Sequence, residues 1–156
     1  MPNGDYSLSH EDWEKIRAFF EELSPILLGF AAAHNLAIDK YYHDGPAWTL
    51  RFQHPKGGGA GIGVHRVDDD KIRINKLWYI DEYETFTHSV KSDAGSDLLL
   101  GSVDLREILE ESLREVTAWN RNDMTAYHGY EEFWARYTQE EWHQMSPAMR
   151  LPKPTL

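Results

Sequence analysis

The sequence predicts an α+β protein of two layers, with helices packed on one face of an antiparallel sheet. Three observations support this fold class. Apolar residues recur at helical spacing near the start of the chain, they alternate with polar residues between residues 37 and 91, and helical spacing returns after Asp104. A chain of 156 residues is long enough to bury a substantial core within one domain.

Two helices are expected before the sheet. Ser9 and Asp12 have the spacing of a capping box, with Asp in the place of the usual Glu. Apolar residues then follow at helical spacing: Trp13, Ile16, Phe20 and Leu23. Ser24 suits an N-cap and Pro25 suits the first helical position, so a second helix is expected from about 25 to 34.

The alternating region predicts a meander of five strands between residues 37 and 91. Its central apolar positions are Trp48, Leu50, Phe52, Ile62, Val64, Ile72 and Ile74. The connections are short and polar, and such connections join antiparallel strands, because parallel strands need a crossover of a dozen or more residues. The segment TFTHSVK is expected to be the fifth strand, and SDAGSD (92–97) is expected to be a loop.

A long helix is expected at 104–119, where Asp104 and Glu107 form a capping box before an apolar stripe. Beyond it, two short helical stretches and a proline-punctuated tail are expected to form an extension. We therefore expect a single domain over 1–156, made of a core (1–119) and a helical, aromatic extension (120–156).

The glycine-rich stretch HPKGGGAGIGVHR (54–66) does not match a phosphate-binding loop. Its glycines lack the dinucleotide-binding spacing, and Val64 stands where a P-loop needs lysine. A strand follows it, so no helix N-terminus is available to hold a phosphate. We interpret it as a hairpin connection, in which Gly61 and Gly63 mark a bulge or a close approach of another backbone or a ligand.

Composition and charge limit the possible functions. The chain has no cysteine, which excludes a disulfide framework and a thiol nucleophile. It lacks a recognisable secretory signal and a run of about 20 apolar residues, so a soluble cytoplasmic protein without membrane contact is expected. Its net charge of −10 opposes binding to nucleic acid.

The charge is unevenly distributed along the chain. Residues 79–156 carry 7 Lys and Arg against 15 Asp and Glu. Residues 47–79 carry 6 Lys and Arg against 3 Asp. The sequence thus has a mildly basic middle segment within an acidic protein.

Catalytic and metal-binding patterns are not convincing. Glu140 and His143 have the spacing of a di-iron motif, but no second such pair exists. His54 is expected on the opposite face of the sheet from His65, so these two do not converge on a metal. Paired glutamates in helices are interpreted as solvated surface, and the Asp run at 68–70 is interpreted as a turn. No catalytic residue, metal or cofactor is predicted, and an enzyme is not favoured.

The polar face of the predicted sheet is the first candidate site. Alternation places polar residues on it, with Thr49 expected opposite His65 and His65 opposite Arg73. The predicted ligand-binding residues are Arg51, His65, Arg73 and Asn75. Three other interpretations stay open: an ordinary solvated face, a homodimer interface, or a face covered by the acidic C-terminal segment.

Aromatic residues among glutamates form the second candidate site. The predicted partner-binding residues are Tyr130, Trp134, Tyr137 and Trp142. Such residues are enriched at interfaces, although they also dock a terminal extension onto its own core.

Two functional hypotheses follow from these sites. The first is a non-enzymatic acidic binding module of bacterial type, an adaptor or an immunity-like inhibitor of a basic protein such as a nuclease toxin. The alternative is a small-anion-binding protein or an enzyme that uses the polar face, with His65 as acid or base.

Overall fold

The general α+β plan, with an antiparallel meander between helical segments, is confirmed. The computed structural model describes residues 9–42, 45–56, 58–79, 89–120 and 151–155. In chain order their elements are α1 (His10–His34), β1 (Ala37–Tyr41), β2 (Ala47–Gln53), β3 (Gly59–Asp68), β4 (Lys71–Tyr79), β5 (Ser89–Leu99), a 3-10 turn (Leu100–Ser102) and α2 (Leu105–Ala118). The strands form one sheet in the order β1-β2-β3-β4-β5, and every neighbouring pair is antiparallel.

The helix α1 is continuous over 25 residues, so the prediction of two helices before the sheet is wrong. Pro25 has no N–H for the carbonyl of Glu21, which normally ends or kinks a helix. Here the Ser24 hydroxyl donates to that carbonyl at 2.9 Å and replaces the missing bond. Leu23 and Leu27, on either side of the proline, are both buried in the core and hold the two halves on the sheet.

Side-chain caps define where both helices begin. The Ser9 hydroxyl accepts a hydrogen bond from the Asp12 N–H at 3.0 Å, and an Asp104 carboxylate oxygen accepts one from the Glu107 N–H at 3.3 Å. These bonds satisfy amides that have no partner within the helix. At its other end, α1 stops at Asn35, whose φ of 59° is left-handed.

The segment SDAGSD lies within β5, so its prediction as a loop is wrong. A β-bulge accommodates it, because the register with β4 shifts between Arg73 and Asn75. Gly95 is required at this bulge, since a Cβ there would stand 2.6 Å from the carbonyl oxygen of Ile74. Loop-like composition is tolerated because pairing with β4 overrides local preference.

Both helices pack on one face of the sheet, which we call the inner face. The Phe20 ring of α1 stacks parallel to the Trp48 ring of β2 at 5.5 Å, and Leu109 and Val116 of α2 join the same core. The inner-face core residues of the sheet are Trp48, Leu50, Phe52, Ile62, Val64, Ile72, Ile74 and Trp78. The other face of the sheet, which we call the outer face, is turned away from α1 and α2.

Residues 151–155 bind to the C-terminal end of α1 and to the end of β2. The Gln53 N–H donates to the Pro152 carbonyl at 2.9 Å, and the Asn35 side chain donates to the Lys153 carbonyl at 3.0 Å. The Thr155 N–H donates to the His34 carbonyl at 2.9 Å. The rest of the predicted helical extension, residues 121–150, lies outside the described residues.

Candidate functional site: the outer face of the sheet

The polar side chains of the three central strands lie on the outer face, as alternation predicts. Its central positions are Thr49, Arg51, Gln53, Gly61, Gly63, His65, Arg73 and Asn75. The residues that alternate with them, such as Leu50, Ile62 and Ile74, are buried against the helices. The sequence therefore sorts the two faces of β2, β3 and β4 correctly.

The register between β2 and β3 differs from the expected one by two residues. Thr49 lies opposite Gly63 and not opposite His65, whose β2 partner is Ala47. The ladder ends where the His54 N–H donates to the Gly58 carbonyl at 2.9 Å, which closes the turn. On the other side His65 lies opposite Arg73, as predicted.

Gly61 and Gly63 are places of close approach, and no bulge interrupts the β2–β3 ladder around them. A Cβ on Gly61 would stand 2.9 Å from the γ-methyl group of Thr49. A Cβ on Gly63 would stand 2.9 Å from Nε2 of His65. The glycines therefore make room for side chains of the same sheet face.

His65 and Asn75 form a hydrogen-bonded pair in the middle of the outer face. The Asn75 amide nitrogen donates to Nε2 of His65 at 3.0 Å. Because Nε2 accepts, the neutral ring carries its proton on Nδ1. Nδ1 has no bonding partner among the described residues. The pair therefore offers an N–H donor, and the amide oxygen of Asn75 is buried without a described partner.

The electrostatic surroundings of His65 favour its neutral form. Partial burial of the ring, and then the positive charge of Arg73, lower the pKa of His65 below its ordinary value. At pH 7 the imidazole is therefore uncharged. At this pH the ring can offer a hydrogen bond but not a charge.

The two predicted arginines are each paired with a carboxylate of a flanking strand. Nη1 of Arg51 lies 2.7 Å from the carboxylate of Asp39 on β1. Nε and Nη2 of Arg73 both lie 2.7 Å from the same oxygen of Asp97 on β5. Neither carboxylate follows from the sequence, because Asp97 lies in the segment that is predicted as a loop and alternation does not assign the register of β1.

Exposed apolar side chains border this polar centre at one end. Tyr41 on β1 and Leu99 on β5 are 51% and 47% exposed, and Val67 at the end of β3 is 38% exposed. Tyr41 shares a cross-strand row with His65, Arg73 and Asp97, while Leu99 pairs with Lys71 in the next row. The outer face thus combines fixed polar pairs with an apolar margin.

The second predicted site cannot be placed. Tyr130, Trp134, Tyr137 and Trp142 lie outside the described residues. Within the part that is described, no three His, Asp or Glu side chains come together to hold a metal ion. The helices in that part are also too short or too polar to span a bilayer.

The fold and the site define an α+β protein with helices on one face of a five-stranded sheet and a polar surface on the other face. Compared with protein-family models, with curated proteins and with solved structures, the chain gives no significant match.

Proposed function

We propose that this chain is a non-enzymatic binding protein, that its partner is another protein, and that the outer face is the binding surface. The observation that carries the proposal is the pairing of Arg51 with Asp39 and of Arg73 with Asp97. These pairs fix charged groups in defined positions while leaving the surface close to neutral.

The ion pairs favour a protein partner over a small anion. An anion that approaches Arg73 must compete with a carboxylate oxygen already in contact with two guanidinium nitrogens at 2.7 Å. The side chains of this pair are about 40% exposed, where water and salt screen further attraction. A protein surface can instead hydrogen-bond to the intact pairs and cover the apolar side chains beside them.

The exposed margin supplies the apolar contact that such an interface needs. Tyrosine and arginine are enriched in protein interfaces, because both combine a large contact area with a polar group. Tyr41 and Arg73 lie in one row of the outer face, separated by β2 and β3. A partner that spans this row contacts Tyr41, His65 and Arg73 together.

The hydrogen bonding of His65 supports binding more than catalysis. A histidine that acts as general base needs a free nitrogen lone pair within reach of a proton donor. In this site Nε2 already accepts from Asn75, and Nδ1 carries the proton. The charge of −10 for the whole chain further favours a basic partner, which long-range attraction brings to the surface faster.

Affinity capture with matched variants tests the proposal. The wild-type chain, Tyr41→Ala, Arg73→Glu and the control Arg106→Glu are immobilised and exposed to extract of the source organism. Arg106 is a suitable control because it also pairs with a carboxylate, that of Glu110, on the exposed side of α2. Circular dichroism and thermal unfolding first confirm that every variant is folded.

We expect a basic protein that the wild type and Arg106→Glu retain and that Tyr41→Ala and Arg73→Glu lose. Titration of the purified partner should then show weaker binding by the two outer-face variants. Equal retention by all four chains would refute the outer face as the binding surface. A metabolite anion that stabilises the wild type but not Arg73→Glu would instead support the small-anion alternative.

A further inference from the structure

His65 reaches Asn75 through the space that Gly63 leaves on the outer face. The two residues are not direct cross-strand neighbours, because Asn75 lies opposite Gly63 and His65 lies opposite Arg73. The His65 ring turns back along β3, and its Nε2 stands 2.9 Å from the position that a Cβ of Gly63 would occupy. No bulge interrupts the pairing of β3 at this glycine, so its role is to permit the close approach. The strand therefore holds the ring against the Asn75 amide.

The neutral pair leaves one polar atom without a partner. The Asn75 amide nitrogen donates to Nε2 of His65 at 3.0 Å, while the amide oxygen is buried without a hydrogen bond among the described residues. A buried acceptor of this kind costs free energy, because it has lost its bonds to water and gained none in return. The neutral arrangement therefore satisfies Nε2 of the ring but not the oxygen of the amide.

A proton added to the His65 ring reverses the hydrogen-bonding requirement of the pair. The cationic ring carries N–H groups on both nitrogens, so Nε2 becomes a donor that faces the NH2 group of Asn75, which is also a donor. A half-turn of the amide about its Cβ–Cγ bond exchanges nitrogen and oxygen without moving the backbone. The oxygen that had no partner then accepts from Nε2–H, in a charge-assisted bond that is stronger than the neutral one.

The carboxylates around His65 on the outer face each lie beside a cation. Within two cross-strand rows of His65, the charged or titratable residues that the other strands place on this face are Asp39, Tyr41, Arg51, Lys71, Arg73 and Asp97. Asp39 is paired with Arg51, and Asp97 is paired with Arg73. On β3 itself, Asp68 lies opposite Lys71.

Protonation of His65 therefore changes the charge at the centre of the outer face. In its own cross-strand row, the neighbour on β2 is the uncharged Ala47 and the neighbour on β4 is Arg73. The closest charged neighbour is thus another cation, whose carboxylate partner is already in use. A proton on His65 adds a positive charge that the sheet does not neutralise.

We propose that His65 and Asn75 form a proton-operated switch at the centre of the outer face, in which protonation of the ring reverses the Asn75 amide and makes the surface cationic. The consequence for a basic partner, which is release in acid, rests on the proposed function, whereas the rearrangement of the pair does not. Burial and Arg73 lower the pKa of His65, so the pair is neutral at pH 7 and the switch operates below about pH 6.5.

NMR of the isotope-labelled full chain tests the switch without any partner. Long-range proton–nitrogen spectra show which ring nitrogen of His65 carries the proton, and the nuclear Overhauser effect (NOE) shows whether the Asn75 NH2 protons lie beside the ring. At neutral pH we expect the proton on Nδ1 and a NOE between the NH2 group and the ring. On acidification we expect this NOE to be lost with the same midpoint as the titration of His65.

Three variants connect this transition to the pair. His65→Gln should remove the transition, while the matched control His10→Gln, at an exposed histidine of α1, should keep it. Asn75→Asp replaces the amide with a carboxylate, which accepts from Nε2–H and has no N–H to donate. We expect it to raise the midpoint of His65 by about one pH unit or more.

Several NMR results would overturn the switch. One is a neutral ring with its proton on Nε2, because the amide would then already face the ring through its oxygen. Another is a NOE that persists after His65 is protonated. A loss of the NOE that coincides with acid unfolding, measured by circular dichroism, would overturn it as well.

The effect on binding is measured with the basic protein that the wild type captures. Its affinity for the wild type and for His65→Gln is determined about one pH unit above and about one pH unit below the midpoint of His65. We expect the wild type to lose about tenfold more affinity in acid than His65→Gln, because only the wild type gains a like charge at the interface. Equal losses would overturn acid release. If no basic protein is captured, the proposed function fails, and the NMR result alone decides whether the pair rearranges.

Discussion

Replacing His54 with alanine is expected to be one of the most destabilising single changes in the described part of the chain. The ring is 1% exposed and stacks on the Trp78 ring with centroids 3.9 Å apart. Its Nε2–H donates to the Val116 carbonyl at 2.8 Å, and its Nδ1 accepts from the Lys56 N–H at 3.0 Å. One side chain therefore joins the end of β2 to the last turn of α2.

The loss of packing is expected to exceed the loss of hydrogen bonding in His54→Ala. Val116 keeps a second donor, the Trp119 N–H at 3.2 Å, and the exposed Lys56 can bond to water through its amide. Each lost bond then costs about 0.5–1.5 kcal/mol. The cavity left by an aromatic-sized ring costs about 2–4 kcal/mol. We expect His54→Ala to lower the free energy of unfolding by about 3–7 kcal/mol.

His54→Phe separates the two contributions, because it keeps the stack on Trp78 and removes both hydrogen bonds. We expect a loss of about 1–3 kcal/mol, clearly smaller than that of the alanine variant. Urea denaturation with a common m-value measures both, and His10→Ala, at an exposed histidine, is the control expected within about 0.5 kcal/mol of wild type. If phenylalanine were as damaging as alanine, the argument that packing dominates would be refuted.

Three further predictions follow from local contacts. Gly63→Ala puts a methyl group 2.9 Å from His65 Nε2, so it should displace the ring and cost about 1–3 kcal/mol in urea denaturation. Burial and Arg73 lower the pKa of His65 in the folded state, so the unfolded chain binds this proton more tightly. As the pH falls below about 6.5, the free energy of unfolding of the wild type should therefore decrease relative to that of His65→Gln. Between pH 7 and 8 the difference between the two proteins should stay constant. Pro25→Ala restores an N–H for the Glu21 carbonyl and should raise stability by about 1–2 kcal/mol by thermal unfolding; a decrease would contradict this account of α1.

The spacing of apolar residues correctly predicts which side of each central strand is buried. Alternation assigns Leu50, Ile62 and Ile74 to the inner face because each strand must bury one side, and a shift by one residue would expose that whole side. Local signals fail where another contact compensates for a residue that would normally end a helix or form a loop. The Ser24 hydroxyl bonds to Glu21 and carries α1 past Pro25, and the bulge at Gly95 holds a loop-like sequence in β5.

The composition of the candidate site was predictable, but its pairing was not. The outer-face positions of Arg51, His65, Arg73 and Asn75 follow from period-2 geometry within each strand. Which residues lie beside each other depends on the turn between β2 and β3, where a change of two residues preserves the faces but moves every cross-strand neighbour. The contact of His65 with Asn75 across Gly63 therefore required the structure.

The outer face shows why the net charge of a sequence window can differ from the electrostatic potential of the folded sheet. Residues 47–79 carry a local excess of positive charge, which suggested an anion site. The carboxylates that neutralise Arg51 and Arg73 come from Asp39 and Asp97, one on each side of that window. In a meander, the strands that flank the central ones in space also flank them in sequence. A window that covers only the central strands, such as residues 47–79, therefore leaves the flanking strands out. Local charge excess in a central hairpin therefore overstates the positive potential of the sheet, which is the reason for favouring a protein partner over an anion at this surface.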